Sequence, residues 1–180
     1  MQTVIRSPQI ALLGGSGAFP LAGHVRGGWD AAEASVAWVG RVQADAGPEA
    51  AWRASRTLER LLRRGGPAVG DRRRVLSVLW ARLDGEELPD DLVLFLASRD
   101  ADGFALSAVG CHTLYGLRDG ALQPWLFPPH PLLGPPGAPV DRPGALAVDD
   151  LPPWLIATAE PVDLSGRTAD ATLPECGVHG

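Results

Sequence analysis

The chain has 180 residues, 46% of them hydrophobic and six of them tryptophan, which suits one folded domain with a real core and argues against disorder. Its net charge is −5, and all 16 of its cations are arginine. With no lysine, a phosphate-loop nucleotidase of the Gly-Lys-Ser/Thr type and a lysine Schiff-base enzyme are both excluded.

No apolar run approaches the ~20 residues that span a bilayer. Met1-Gln-Thr-Val-Ile-Arg6 lacks the charged-then-apolar layout of a signal peptide. Cys111 and Cys176 make no close-spaced metal or redox pair. The expectation is a reduced, cytoplasmic protein without a membrane partner.

Gln9-Ile-Ala-Leu-Leu13 reads as a buried strand feeding a tight loop, Gly14-Gly-Ser-Gly-Ala18. Pro20, Gly23 and Gly27-Gly28 predict an irregular stretch after it. A first helix is expected from Asp30, an N-cap with Glu33 three residues on, with Ala32, Val36, Val39 and Val42 as its apolar stripe. After Gly47-Pro48 a second helix runs to about Arg64, burying Ala51, Ala54, Leu58, Leu61 and Leu62. Its opposite side carries Arg53, Arg56, Arg60, Arg63 and Arg64 at three- and four-residue spacing. Asp71 is placed to cap a third helix ending near Leu83.

From Asp84 the period changes. The acidic run to Asp91 is a solvated connector, and Leu92 to Ala97 is a central strand. Phe104–Val109, Thr113–Leu117 and Ala121–Phe127 are expected to pair as antiparallel hairpins, broken at Gly110 and turned at Asp119-Gly120. Residues 128–143 are too rich in Pro and Gly for regular structure and form a long loop. Ala145–Val148 and Trp154–Thr158 are two more strands. The tail, residues 161–180, shows no periodicity and reads as weakly structured. The pattern predicts a single α+β domain over residues 1–180, with helices packed on antiparallel sheet.

Several local patterns suggest chemistry and fall short of it. Gly15-x-Gly17 begins a dinucleotide turn, but the third glycine falls on Pro20 and no helix follows. Ser16 sits in a near nucleophile elbow, with Asp141 or Asp163 and His179 following in hydrolase order. A divergent hydrolase using Ser16 or non-standard carboxylates is therefore the alternative reading. Cys111 and His112, as neighbours on a strand, would point to opposite faces and make no nucleophile–base pair. The four histidines, His24, His112, His130 and His179, lack zinc-ligand spacing. The acidic residues of the connectors lack the loop pattern of a calcium site.

Arg53 to Arg74 holds eight arginines against Glu59 and Asp71, a basic island in an acidic chain. Such polarity suits an acidic partner or phosphate groups, and a plain solvated helix face is the alternative reading. Missing interleaved aromatics and overall acidity argue against nucleic acid.

Taken together, the segments resemble the metal-dependent serine/threonine protein phosphatases of the type 2C (PPM) class. That family runs strand, Asp-Gly-Met-Gly-Gly, a Gly-rich lead into a helix, a strand, Gly-Asp-Ser-Arg-x-Tyr with an Arg-Asp-Gly turn, a strand ending in Asp-Gly, and Asp-Asn-x-Thr. Ile10–Leu13 with Gly14–Ala18 is similar to the first block, and Gly27-Gly-Trp-Asp-Ala-Ala32 to the helix start. Val109-Gly-Cys-His-Thr-Leu-Tyr115 with Leu117-Arg-Asp-Gly120 is the most specific match. His130 falls where the family often has Asp-His-Ser. Leu155–Thr158 precedes Ala159-Glu160 where the family has Asp-Gly, and Ala169-Asp-Ala-Thr172 is similar to the last block.

The resemblance implies a PPM-like sandwich of antiparallel sheets flanked by helices, trimmed at the C-terminus. It also maps the family's metal aspartates onto Gly14, Ala159 and Ala169, and the aspartate of Gly-Asp-Ser onto Cys111. Arg6 would answer to the family's phosphate-binding arginine, although the Asn-Glu-Asp that follows it in the family is missing here. Hard cations need oxygen ligands, which glycine and alanine side chains do not supply. The implied protein is a pseudophosphatase without metal or other cofactor. It would bind another protein in a phosphorylation pathway through the arginine helix or the 128–143 loop.

Overall fold

The computed structural model describes residues 3–7, 10–14, 19–26, 35–63, 92–100, 103–126, 146–148 and 152–168. Four strands precede the helix: β1 (Thr3–Ser7), β2 (Ile10–Gly14), β3 (Phe19–Arg26) and β4 (Ser35–Val42). A short 3₁₀ turn, Ala44–Ala46, leads into α1 (Pro48–Arg63). Six strands follow: β5 (Val93–Asp100), β6 (Gly103–Val109), β7 (Thr113–Arg118), β8 (Ala121–Leu126), β9 (Leu146–Val148) and β10 (Leu155–Thr158). The described residues are mixed α and β, mostly strand, with one α-helix.

The strands form two five-stranded sheets, ordered β1-β2-β10-β7-β8 and β3-β4-β5-β6-β9. All pairings are antiparallel except β10 with β2, which run parallel. The expectation of purely antiparallel sheet is corrected at that pair. The sheets pack face to face over a core containing Ile10, Leu12, Val39, Phe95, Leu106, Leu114 and Leu155. Strand alternation sends the intervening residues outward. On the second sheet, Val36, Trp38, Val42, Leu94 and Leu96 face Ala51, Ala54 and Leu58 of α1. On the first sheet, Ala11, Leu13, Tyr115, Leu122 and Ile156 are covered by Val162 and Leu164.

The expected helix from Asp30 is corrected over its second half, which is β4; Asp30 to Ala34 lie outside the described residues. Val36, Val39 and Val42 fit a helical stripe, but they also fit a strand buried on both faces. Such a strand shows a continuous apolar run with no polar alternation, and its β-branched residues and Trp38 favour extended backbone. The irregular stretch expected around Pro20 and Gly23 is likewise corrected to β3. This is the edge strand of its sheet, where proline removes no ladder donor that is needed. Gly23 sits where the Trp38 ring crosses the strand.

α1 forms as its sequence indicates. Pro48 suits the first turn because its missing N–H would have had no partner there, and Arg60 and Arg63 suit the negative end. β5 is the middle strand of its sheet, as its unbroken apolar run predicts. β7 and β8 make the expected hairpin. Asp119 and Gly120 both take positive φ, 52° and 79°, as a tight turn matched to strand twist requires.

The expected hairpin of β6 with β7 does not form. Gly110 to His112 carry the chain from one sheet to the other, and Gly110 takes φ 69°, a left-handed bend that favours glycine. β9 and β10 fall where short apolar runs predict them. The expected third helix and the 128–143 loop lie outside the described residues. Past β10, the chain to residue 168 is irregular yet held in place. Tyr115 Oη donates to Val162 O at 2.7 Å, Leu122 N to Arg167 O at 2.8 Å, and Thr168 bridges Ala121. Among the described residues no helix is long and apolar enough to cross a membrane.

Candidate functional site

Parallel pairing of β2 and β10 brings Leu13 opposite Thr158, and Ala159 N then donates to Leu13 O at 3.3 Å. Ala159 therefore lies beside the Leu13–Gly14 peptide. The sheet-switching link closes on the same place, with His112 N donating to Thr158 O at 2.7 Å and Thr158 Oγ1 to Thr113 O at 3.4 Å. Gly14, Cys111 and Ala159, far apart in the chain, thus gather at one end of the sandwich. Ala169 lies outside the described residues. Glycine, cysteine and alanine side chains offer no oxygen, so these three positions do not make a donor set for a hard divalent ion. No group of three or more His, Cys, Asp and Glu among the described residues is arranged to hold a metal.

The second sheet contributes Arg41 to this end. It continues the inward row of Ala37 and Val39 on β4 and is only 4% exposed. Its Nη2 reaches Glu160 Oε1 at 3.3 Å, on a glutamate that is 54% exposed. Two buried side-chain nitrogens among the described residues have no hydrogen-bond partner: Trp38 Nε1 and Arg41 Nε.

Cys111 is fully buried, with Sγ 3.8 Å from Leu94 O and 3.9 Å from Val109 O. Burial pushes its thiol up to about 12, against a smaller opposing pull from the Arg41 guanidinium. It is a neutral core residue and no nucleophile at neutral pH. Cys111 and His112 belong to the link between strands, which corrects their expected place on one. His112 Nδ1 lies 2.8 Å from Thr113 Oγ1.

A pH dependence follows. The unfolded thiol ionises from about pH 9, whereas the folded one keeps its proton to about 12. The unfolded state therefore loses the proton first, and stability falls as pH rises through that window, by at most about 1.4 kcal/mol per pH unit. Urea titrations between pH 8 and 11 are expected to show this slope in the native chain and a shallower one in Cys111→Ala. Equal slopes would mean the thiol is not shielded.

The arginine face of α1 is exposed as expected for Arg53, Arg56, Arg60 and Arg63, while Arg64 lies outside the described residues. Glu59 stands among them, 3.5 Å from Arg56 and 2.9 Å from Arg63, and offsets part of their charge. Trp52 is also on this face, 64% exposed, with the Arg56 guanidinium 5.7 Å from its ring centre. Trp52 stands one residue before the Arg53–Arg74 segment, which itself has no aromatic, and adds one to the same helix face. Its four-residue spacing from Arg56 was the available signal.

The hydrolase candidates are not brought together among the described residues. Ser16, Asp141 and His179 lie outside them, as does His130. Asp163 is exposed and engaged locally, accepting from Ser165 N at 2.9 Å, and hydrogen bonds from Ser165 hold its carboxyl below the usual range. The next described element after β2 is strand β3, not the helix start a dinucleotide turn needs. Arg6 lies on β1 and His24 on β3, and of their side chains nothing is described. Set against known proteins, the chain matches no family model, no curated protein and no solved structure.

Proposed function

We propose that this chain is a degenerate relative of the type 2C (PPM) phosphatases, catalytically inactive, that works as a protein-binding or regulatory module. The observation carrying this reading is the meeting of Gly14, Cys111 and Ala159 at one sandwich end. These positions were assigned from sequence motifs more than 40 residues apart, and a shared metal centre would require them to converge. The two five-stranded sheets and α1 support the reading only at the level of a mixed α and β arrangement.

With the oxygen donors gone, two ions could not be held there to activate a bridging water for attack on a phosphoester. The retained function would then be recognition. The basic, tryptophan-bearing face of α1 offers a surface for an acidic protein.

Calorimetric titration with manganese, run beside turnover of p-nitrophenyl phosphate, tests the inactive-site reading. No micromolar binding and no metal-dependent turnover are expected. Micromolar binding would overturn the reading, and metal-independent ester turnover lost in Ser16→Ala would favour the divergent hydrolase instead. For the surface, a partner retained by the native chain is expected to be lost from Arg53→Glu/Arg60→Glu; equal retention would rule α1 out.

A further inference from the structure

We propose that the Arg41 guanidinium is an oxyanion-binding site, held shut by Glu160, that accepts a carboxylate or phosphate group bearing two oxygens. Such a site depends on the Arg41 side chain and not on the family reading.

A buried arginine is costly unless its charge is paired and its N–H groups are satisfied. Arg41 meets neither condition fully. Nε–H and one Nη2–H form a parallel fork on the same side of the guanidinium, shaped for two oxygens of one acceptor. Glu160 offers one oxygen to this fork, at 3.3 Å from Nη2, longer than the 2.7–2.9 Å of a strong charge-assisted bond. The other half, Nε–H, is buried and empty-handed. The fork is therefore half filled.

The exposures of the two partners set their roles. Arg41 is fixed in the inward row of a central strand, at 4% exposure, while Glu160 follows β10 at 54%. A carboxylate so exposed is already largely hydrated and gives up little interaction energy by swinging into water. Its departure uncovers the fork, and an oxyanion that satisfies Nε and Nη2 together gains a bond Glu160 does not make. Cys111 and Ala159 at this end add no negative charge, since the Cys111 thiol stays protonated and Ala159 carries none. The arrangement works as a latch, with an internal carboxylate competing against an external one.

Titration of the full-length native chain with sodium phosphate or sodium acetate, each against sodium chloride at matched ionic strength, tests this. The direct readout is the Arg41 Nε–H resonance in ¹H–¹⁵N spectra, which is expected to move downfield and saturate. Glu160→Gln keeps the size and removes the competing charge, and is expected to tighten binding at least tenfold. Arg41→Lys keeps a cation without the fork and is expected to weaken it at least tenfold. Phosphate stronger than acetate would identify a phosphate-type ligand, and the reverse a carboxylate. Saturable binding that leaves the Arg41 Nε–H resonance unmoved would overturn the proposal, as would a Glu160→Gln affinity equal to the native one.

Discussion

Phe95→Ala is expected to lower the unfolding free energy by about 3–5 kcal/mol, the range for truncating a fully buried aromatic. Phe95 is the third residue of β5, the middle strand of its sheet, and its side chain has no exposed surface. It points between the sheets toward a layer that includes Leu12, Leu106 and Leu155. Its cross-strand neighbours in the ladder are Val39 and Ala108, both too short to move into the space it would leave. The cavity would therefore persist, adding its own cost to the lost transfer energy. Urea denaturation with an unchanged m-value measures this. A loss below about 1 kcal/mol would mean that the sheets do not close on each other there.

Gly23→Ala is expected to destabilise by about 1–3 kcal/mol or more, as overpacking of a rigid site does. A Cβ built on Gly23 would lie 2.1 Å from Trp38 Cζ2, a distance that forces the ring or the strand to move. The indole has little room to yield, since it is buried between β3, its own sheet and α1. The effect is coupled to the ring. Trp38→Leu made in the Gly23→Ala background is expected to cost less than Trp38→Leu made alone, and a double-mutant cycle reads the difference. Additive costs would show that Gly23 does not accommodate the indole.

These two sites also mark how far sequence patterns reach. Phe95 is legible: Leu92 to Ala97 is an apolar run too short for a buried helix and bounded by polar turns, which is how a central strand looks. Gly23 is not. A glycine with a proline three residues before it reads as a breaker, and only the ring of a residue on the neighbouring strand explains it as part of β3. The same limit applies to β4, whose valines satisfy helical and extended periods at once. A period argument separates the two when one face is polar, and neither face of β4 is.

For the candidate site, the sequence supplied the residue types and the structure supplied the meeting. Gly14, Cys111 and Ala159 each lacked the expected carboxylate on inspection. Arg41 carries no local signal in the sequence, being an arginine inside an apolar strand of an arginine-rich chain. Its inward placement follows from the pleat, and its pairing with Glu160, 119 residues away, follows from the packing of one sheet on the other.

Sequence alone determined the mixed α and β character, α1 with its arginine face, the β7–β8 turn, and the short strands at residues 146–148 and 155–158. Each depends on neighbours within a few residues: helical spacing, a glycine after an aspartate, or a bounded apolar run. Tertiary structure decided which strands share a sheet, that β6 and β7 part company at Gly110, and that β2 and β10 lie parallel. Those choices depend on burying two apolar faces against each other and a third against the helix. That requirement is met by residues far apart in the chain, so no local window contains it.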